Sequence, residues 1–466
     1  MSSMSTFTGS YMTQSENALL HSLPLSDFSE HRSALFAKLA NNSIALFPAA
    51  SEITRSNDTE YGFCQNKNFY YLTGFNEPDA LLVLIKDNCA QTQSILFSLP
   101  KDPQHEVWHG RRIGQIKAVN EYKFDQCFEL ASIDDMLPDY LNGKSQVYFG
   151  FDNKNLNEQS FTAKLFTWIN AVKCLSRQGC KPPENLTDVN PILAELRLIK
   201  TANEIALMRQ ANVISGIAHQ RAMKHSKVGL YEYQIEAEIL HEFSYHNARY
   251  AAYGTIVAGG DNANILHYTD NSDTLKDNEL LLIDAGGELG GYAADITRTF
   301  PVNGKFTPEQ KSIYQLVLDA KNLAIKAIKP GVCFAQLNQI TNAFLTEGLL
   351  SLGILSGELE QLISDKKVND YFIHGLGHWL GLDVHDVGDY HSNTKREQCR
   401  PFEVGMAMTI EPGIYLPQSD LNLDKKWRGI GVRIEDNIVV TEHGCENLTV
   451  TVPDTIEAIE SLMKKS

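Results

Sequence analysis

The chain has 466 residues, which exceeds the usual size of one domain and predicts two domains with sizeable cores. It carries a formal net charge of −16 without any long Lys/Arg run, so electrostatic binding to nucleic acid or to an anionic membrane surface is not expected. Residues 1–25 lack a signal-peptide core, and no later run approaches the roughly 18 apolar residues of a membrane span. These features predict a cytoplasmic protein.

The first half of the chain predicts an α/β domain. Residues 1–24 are rich in Ser and Thr and are expected to form a mobile tail. Over residues 25–178, helical stretches alternate with short β-rich runs, for example Ile44 to Phe47, Leu81 to Ile85 and Ser94 to Phe97. A Pro pair in a polar stretch then predicts a linker at residues 179–192.

Residues 193–466 predict an α+β domain. Thr201 and Glu204 form a capping-box pattern that starts a long amphipathic helix, which we expect to end near His225. The apolar residues expected to face the core are Ile205, Met208, Ile214 and Ile217. Further helices are predicted at 231–246, 308–328 and 334–351, with strands between them.

The eight cysteines are scattered without C-x-x-C spacing. This pattern suggests neither a zinc knuckle nor a disulfide framework. We therefore expect reduced and mostly buried thiols.

Four carboxylates and one imidazole stand in unusual phrases in the last third of the sequence. The phrases are I-D-A-G-G-E-L-G-G-Y-A-A-D-I-T-R-T-F (283–300) with Asp284 and Asp295, H-G-L-G-H-W-L-G-L-D-V-H-D (374–386) with His378, T-I-E-P-G (409–413) with Glu411, and G-V-R-I-E-D (431–436) with Glu435. The first phrase predicts a hairpin with its tight turn at Leu289-Gly290, which puts Asp284 directly opposite Asp295. Two carboxylates at that distance repel each other unless one is protonated or a cation lies between them.

The last two phrases predict extended segments. Val432 and Ile434 alternate with Arg433 and Glu435, so a strand there buries the first pair and directs the second pair to one site. Glu411 precedes Pro412, and a residue before proline favours an extended conformation.

Convergence of the four carboxylates would gather a charge of about −4, which two divalent cations neutralise. A water shared by two such ions becomes a hydroxide near neutral pH. Oxygen donors with one imidazole and no thiolate favour a hard ion such as Mn(II), although geometry and availability can also admit Co, Fe or Zn.

Together these phrases resemble the pita-bread metallopeptidases, and within them the aminopeptidase P (Xaa-Pro aminopeptidase) family. The likeness covers nearly the whole chain after about residue 25. It includes R-S-N-D-T-E-Y (55–61), Q-N-K-N-F-Y-Y-L-T-G-F-N-E-P-D-A-L-L-V-L (65–84), E-V-W-H-G-R-R-I-G-Q (106–115) and I-L-H-Y-T (265–269). The resemblance implies an α/β creatinase-like N-terminal domain and an α+β pita-bread catalytic domain.

The resemblance also implies a role for each metal ligand. Asp284 would hold one metal, and Asp295 and Glu435 would bridge both. His378 and Glu411 would complete the second metal. Glu411 would in addition exchange the proton of the nucleophilic water.

Three further histidines match positions that flank the site in the resembled enzymes. His267, His374 and His385 would contact substrate or stabilise the tetrahedral intermediate. Arg433, on the same strand face as Glu435, is expected to orient carboxylates within the cluster.

Two N-terminal residues, Asp58 and Trp108, match regions that reach the active site of a neighbouring subunit in the resembled enzymes. This likeness implies a homo-oligomer, with a tetramer as the expected size.

The implied activity is release of the first residue from peptides with proline at the second position, by a hydroxide that bridges two metal ions. An X-Pro bond is a tertiary amide without an N–H, so exopeptidases that grip that N–H fail on it. The closest alternative is Xaa-Pro dipeptidase, which requires a free carboxylate after the proline, but the phrases at 378–388 and 432–449 look nearer to the aminopeptidase. An inactive peptide-binding relative is a second alternative, although no metal ligand has been lost here.

Overall fold

The computed structural model describes residues 21–151, 160–392 and 398–464. Most of the predicted mobile tail, 1–24, lies outside these residues. Within the described ranges, no helix combines the length and the apolar character that crossing a membrane requires.

The first part of the chain is an α/β domain, as predicted. Its strands are β1 (Ser43–Pro48), β2 (Thr54–Ser56), β3 (Thr59–Glu60), β4 (Leu81–Lys86), β5 (Thr92–Ser98), β6 (Gln126–Glu129), β7 (Gln146–Phe149) and β8 (Asn185–Asp188). Its helices are α1 (Leu25–Lys38), α2 (Lys67–Thr73), α3 (Pro103–His109), α4 (Gly114–Asn120), α5 (Ile133–Leu141) and α6 (Phe161–Cys174). Six strands form one mixed sheet in the order β6-β5-β4-β1-β7-β8. The three predicted apolar runs are its central strands β1, β4 and β5, which are buried because the helices cover both faces.

Segment 179–192, predicted as a linker, contains more regular structure than the sequence suggested. Asn185–Asp188 is β8, an edge strand that pairs in parallel with β7. Helix α7 (Asn190–Leu198) follows at once, with its proline in the first turn, where a missing N–H costs nothing. Residues 179–184, which contain the Pro pair, and Val189 are irregular. The domain boundaries themselves stay a prediction.

The second part of the chain is the predicted α+β domain. Its helices are α8 (Ala202–His225), α9 (Glu232–Tyr245), α10 (Pro308–Ala327), α11 (Phe334–Ser351), α12 (Leu359–Ser364) and α13 (Ile456–Met463). Its strands are β9 (Tyr250–Ala251), β10 (Ile256–Gly259), β11 (Leu280–Asp284), β12 (Gly287–Leu289), β13 (Tyr292–Ala293), β14 (Thr297–Pro301), β15 (Ala407–Ile410), β16 (Gly413–Leu416), β17 (Ile430–Arg433), β18 (Asp436–Thr441) and β19 (Gly444–Asn447).

Helix α8 begins with the predicted capping box: Glu204 N donates to Thr201 Oγ1, and Thr201 N donates to Glu204 Oε2 at 2.6 Å. Met208 is fully buried, as expected, but Ile217 is 37% exposed. The buried face of α8 instead runs through small and polar residues such as Ser215 and His219. The prediction from hydrophobicity alone was therefore wrong for Ile217, which lies at the edge of the buried face of α8.

Two hydrophobic cores hold the catalytic part in place. One fills the space between helices α8 to α11 and the strands, with Ile283, Ile410 and Val432 fully buried. The other crosses between the two parts of the chain: Tyr70 from α2 packs in the same cluster as Leu289 and Tyr292 from the β12-β13 hairpin. Each such side chain contributes roughly 1.5–3 kcal/mol when fully buried, so the N-terminal domain stabilises the strands that carry the site.

The expectation of reduced, mostly buried cysteines is wrong. Cys333 and Cys399 form a disulfide with a Cα–Cα distance of 6.2 Å. They are 66 residues apart and meet because the start of α11 packs beside the segment that leads to Phe402, so their spacing in the sequence carries no signal. Of the other six, Cys64, Cys89 and Cys174 are exposed.

Candidate metal centre and active site

One cavity of about 360 Å³ brings the predicted site residues together. All nine line it: Asp284, Asp295, His378, Glu411, Glu435, His267, His374, His385 and Arg433. Asp284 and Arg433 stand at the ends of strands β11 and β17, whereas the four histidines stand on irregular segments.

The hairpin that carries the two aspartates is formed, but its register differs from the prediction. Asp284 pairs with Thr297, and Leu289 pairs with Tyr292, so the two-residue turn is Gly290-Gly291. These glycines have φ of 56° and 90°. A tight turn of the primed type needs positive φ at its central residues, and Leu289 adopts such a conformation far less readily than glycine. The turn therefore lies one residue later than predicted, and Asp284 does not face Asp295 directly.

The two aspartates nevertheless lie close together, because both carboxylates are within hydrogen-bond distance of the same hydroxyl group. Tyr253 Oη lies 2.6 Å from Asp284 Oδ1 and 2.6 Å from Asp295 Oδ1. A phenol has one proton to donate, so it satisfies one carboxylate at a time. Burial and the two neighbouring aspartates raise the pKa of Tyr253 well above its ordinary value, which keeps it a neutral donor.

Arg433 and Glu435 both reach the cavity as predicted, but they do not share one continuous strand. Strand β17 ends at Arg433 and β18 starts at Asp436. Glu435 lies between these two strands, and its backbone N donates to Thr297 O in β14 at 3.1 Å. Thr297 Oγ1 then donates to Glu435 Oε2 at 2.7 Å, which fixes the carboxylate inside the cavity.

Glu411 and His378 are held together through Thr409. Its hydroxyl accepts from His378 N at 3.1 Å and donates to Glu411 Oε1 at 3.2 Å. His378 Nδ1 lies 2.9 Å from Trp379 O, so a proton on Nδ1 leaves Nε2 as the metal-binding atom. That Nε2 lies 3.4 Å from Asp295 Oδ2 and 3.5 Å from Glu411 Oε1.

The donor set fits a divalent cation. Ligand atoms of Asp295, His378 and Glu435 lie within 4.8 Å of one another. Burial, followed by the charges of Asp295 and Glu411, raises the pKa of Glu435 well above its ordinary value. Burial also raises the pKa of Glu411, to about 7, despite the opposing effect of His378. These carboxylates destabilise one another until a positive charge joins them.

A second line of contacts runs along one wall of the cavity. His374 Nε2 lies 2.7 Å from Tyr415 Oη, and Arg433 Nη1 donates to the same oxygen at 2.9 Å. Arg433 Nη2 donates to Asp284 Oδ2 at 2.6 Å, so Arg433 orients a predicted metal ligand. Burial and then the Arg433 charge lower the pKa of His374 to about 4, which keeps this imidazole neutral at pH 7.

His267 and His385 are exposed at the mouth of the cavity. Among the described residues, neither ring makes a hydrogen bond, so both are available to a ligand. The ring of His385 packs edge-on against that of His378, with centroids 4.2 Å apart.

Sequence reasoning missed Thr297, Tyr415 and Tyr253. For two of them a signal was present: Thr297 is two residues after Asp295, and Tyr415 is four after Glu411, so alternation along an extended segment places each on the ligand's side. Tyr253 stands outside every unusual phrase, and nothing in its neighbourhood marked it.

Asp58 and Trp108 do not line the cavity. Asp58 lies in the exposed turn between β2 and β3, and Trp108 in α3 is 83% exposed. Their predicted contact with a neighbouring subunit stays a prediction.

The fold and the site define a pita-bread metallopeptidase. Residues 206–442 match metallopeptidase family M24, and the chain belongs to this family. Residues 28–148 match the N-terminal domain of aminopeptidase P. The predicted fold class and family are therefore confirmed.

Similar proteins agree over nearly the whole chain. The Xaa-Pro aminopeptidase of Escherichia coli is 43% identical over 438 residues, which cover 94% of this chain and 97% of that protein. The one from Haemophilus influenzae is also 43% identical, over 96% and 99%. The structure of Pseudomonas aeruginosa aminopeptidase PepP has a TM-score of 0.92 at 45% identity, over 95% of this chain and 99% of that chain.

Proposed function

We propose that this protein is an Xaa-Pro aminopeptidase, which hydrolyses the bond before proline and releases the first residue of a peptide. The carrying observation is the convergence of all nine predicted site residues in one cavity. Similarity to Xaa-Pro aminopeptidases over 94% of the chain supports the same activity. A structure of the Escherichia coli enzyme with the inhibitor Pro-Leu, TM-score 0.90, supports a site for proline peptides.

The ligands for two divalent ions would be Asp284, Asp295, His378, Glu411 and Glu435. We favour Mn(II), because the donors are oxygen atoms with a single imidazole. When bound, such ions supply an activated water near neutral pH and polarise the scissile carbonyl.

Glu411 is suited to move a proton during hydrolysis. Its Oε1 accepts a hydrogen bond from Thr409 Oγ1 at 3.2 Å, which leaves Oε2 to accept and return a proton. It takes the proton from the attacking water at the oxygen that Thr409 leaves open, and it delivers that proton to the departing proline nitrogen. That nitrogen needs this proton because it leaves as an amine once the C–N bond breaks.

The histidines stabilise the oxygen of the attacked carbonyl. His385 and His267 stand at the mouth of the cavity with rings that make no hydrogen bond to the described residues, and each would supply a donor to a developing negative charge. Such donors contribute about 3 kcal/mol each to transition-state stabilisation. His374 is neutral, and both of its ring nitrogens have partners, Nδ1 with Gly375 O at 2.7 Å and Nε2 with Tyr415 Oη at 2.7 Å, so it would contact substrate through the edge of its ring or by exchanging one of these partners.

Xaa-Pro dipeptidase activity is the alternative, since that enzyme has the same fold and metals. The matched relatives favour the aminopeptidase. An inactive peptide-binding protein is disfavoured because all five metal ligands are present.

The test is the initial rate of the Mn(II)-loaded protein on a tetrapeptide with proline second and on the corresponding Xaa-Pro dipeptide. We expect release of the first residue from the tetrapeptide, and its loss with chelator or in Asp295→Asn. Cleavage of the dipeptide alone would assign the protein as a dipeptidase. Turnover of neither peptide, with no metal retained after dialysis, would restore the binding-protein alternative.

We also propose a homo-oligomer in which Trp108 reaches a neighbouring site, and a cytoplasmic location. Two adjacent exposed apolar side chains, Val107 and Trp108, support the first, because contiguous apolar surface marks interaction sites. Light scattering of the purified protein tests it: a monomer at micromolar concentration would contradict the proposal. Fractionation of cells that express the protein tests the location.

A further inference from the structure

A compact loop, residues 378–386, presents two of the site histidines. His378 stands at its start and His385 near its end, with the two rings in edge-on contact. Asp386 N donates to Trp379 O at 2.9 Å and closes the loop. The position of the His385 ring therefore depends on how this loop is held, since the ring itself makes no hydrogen bond within the described chain.

Arg197 forms hydrogen bonds to the loop on both sides of His385. This arginine lies in α7 and is 3% exposed. Its Nη2 donates to Asp383 Oδ2 at 2.7 Å and to Asp386 Oδ1 at 2.6 Å. Those carboxylates belong to residues two before and one after His385. Lys200 Nζ, 3.1 Å from Asp386 Oδ2, gives the second aspartate another cation.

The same guanidinium also contacts the N-terminal domain. Arg197 Nη1 donates to Asn68 Oδ1 in α2 at 2.8 Å. Asn68 follows Lys67, which lines a second cavity of about 540 Å³ that shares His385 with the first. Arg197 therefore joins the N-terminal domain, α7 and the His385 loop at one point.

Stability alone explains this arrangement poorly. A buried ion pair roughly breaks even against apolar packing, and Arg197 Nε is buried with no partner among the described residues. A fork that holds two carboxylates in a fixed geometry is, however, well suited to orienting a loop.

We propose that Arg197 is a positioning residue for His385, acting through Asp383 and Asp386, and that it makes the placement of His385 depend on the docked N-terminal domain. This inference rests on the proposed function, in which His385 stabilises the attacked carbonyl. It adds a residue far from the metal ligands in sequence to those that set the rate.

The first test compares Arg197→Gln, Asp383→Asn and the control Arg209→Gln in the Mn(II)-loaded protein. Arg209 on α8 is also paired with a carboxylate, that of Glu446, but it is 45% exposed and its partner lies outside the loop. We expect kcat to fall about tenfold in Arg197→Gln with KM changed less than threefold, because the lost contact acts in the transition state. Asp383→Asn, at a 41% exposed side chain, should fold normally and lose about threefold. The control should stay within twofold, and an equal loss in the control would overturn the inference.

A double-mutant cycle separates positioning from general damage. With His385→Ala already in place, Arg197→Gln should change kcat/KM by less than about twofold, because contacts that act through one residue are not additive. The same tenfold loss in both backgrounds would overturn the inference. So would an unchanged rate in His385→Ala alone, which would also remove the proposed role of that histidine.

Hydrogen exchange gives a readout that does not depend on activity. Arg197→Gln should raise exchange in peptides that span 379–388 at least tenfold, while Arg209→Gln should leave them unchanged. Unchanged exchange in Arg197→Gln would overturn the inference even if activity fell. If the wild-type protein cleaved no Xaa-Pro peptide, the proposed function would fail, and the exchange result would still decide whether Arg197 holds the loop.

Discussion

Glu435 and Asp436 are adjacent in the chain, yet they belong to two buried clusters whose charges are balanced differently. Glu435 faces the cavity with Asp284, Asp295 and Glu411, and we call these four the catalytic carboxylates. Asp436 points the other way, where Arg298 Nη2 donates to Oδ1 at 2.7 Å and Lys321 Nζ to Oδ2 at 2.5 Å.

The pKa values of the two neighbours move in opposite directions. Burial alone would raise the pKa of Asp436, but Lys321 and then Arg298 hold it well below its ordinary value. Burial raises the pKa of Glu435, and the nearby acids raise it further. Asp436 and Glu435 are similarly buried. The charge of Asp436 is balanced by Arg298 and Lys321, whereas Glu435 lies in a cluster of mutually repelling carboxylates that needs cations. The second arrangement is the one suited to bind divalent cations.

The largest expected effect is on activity at Glu435. Glu435→Gln removes a predicted bridging ligand, and kcat/KM should fall by about a thousandfold, since metal catalysis supplies several kcal/mol. The free energy of unfolding in chelator should not fall, because one repelled charge is gone. Steady-state kinetics and urea unfolding measure both; a clear loss of chelator-state stability would contradict the comparison.

Asp436→Asn should show the reverse pattern. It leaves Arg298 and Lys321 buried with less compensation, so the free energy of unfolding should fall by about 3 kcal/mol. Metal content per folded molecule should be retained. Urea unfolding and metal analysis of the folded fraction check this; a variant as stable as the wild type would show that the cluster is not balanced in the way described.

The same pair predicts a pH dependence. Because the folded-state pKa of Asp436 is depressed, its stabilisation is present above the unfolded value of about 3.9 and is lost as pH falls below it. The stability gap between wild type and Asp436→Asn should therefore be constant from about pH 6 to 8 and shrink below about pH 4. A gap that widened in acid would reverse the sign of the argument.

A smaller effect is expected at Tyr415. Tyr415→Phe removes the hydroxyl that joins His374 to Arg433, and a buried donor left unsatisfied costs about 1–3 kcal/mol. We expect kcat/KM to fall about tenfold while Mn(II) stays bound. Kinetics and metal titration distinguish this from ligand loss; unchanged kinetics would exclude Tyr415 from the wall of the site.

The smallest effect is expected at the exposed pair of Arg209 and Glu446. Glu446→Gln should change the free energy of unfolding by less than about 0.5 kcal/mol, because solvent screens both charges. A loss near 3 kcal/mol would remove the distinction between buried and exposed pairs.

Much of the site could be predicted from the sequence because its residues stand in short, unusual sequence motifs that can be recognised without knowing the fold. Element types in the second domain were also predictable, since helices carry start and stop signals: α8 begins at the Thr201 and Glu204 capping box, and Pro330-Gly331 follows α10. The hairpin register was predicted wrongly although a local signal was present, because Gly290-Gly291 supplies positive φ at both central positions of the turn and Leu289 does not readily adopt it. Tyr253 and the Cys333–Cys399 disulfide were not predictable, since both depend on the approach of distant segments.

The turn at Gly290-Gly291 also limits how modular this protein is. Tyr70 Oη of α2 donates to Gly290 O, and an added Cβ at Gly291 would lie 2.8 Å from the Tyr70 ring. The hairpin that delivers both aspartates thus reverses direction against the N-terminal domain. A chimera of this catalytic domain with another N-terminal domain would need an equivalent of α2. A catalytic domain expressed alone would expose Leu289, Tyr292 and Leu382 as an apolar patch that is prone to aggregation.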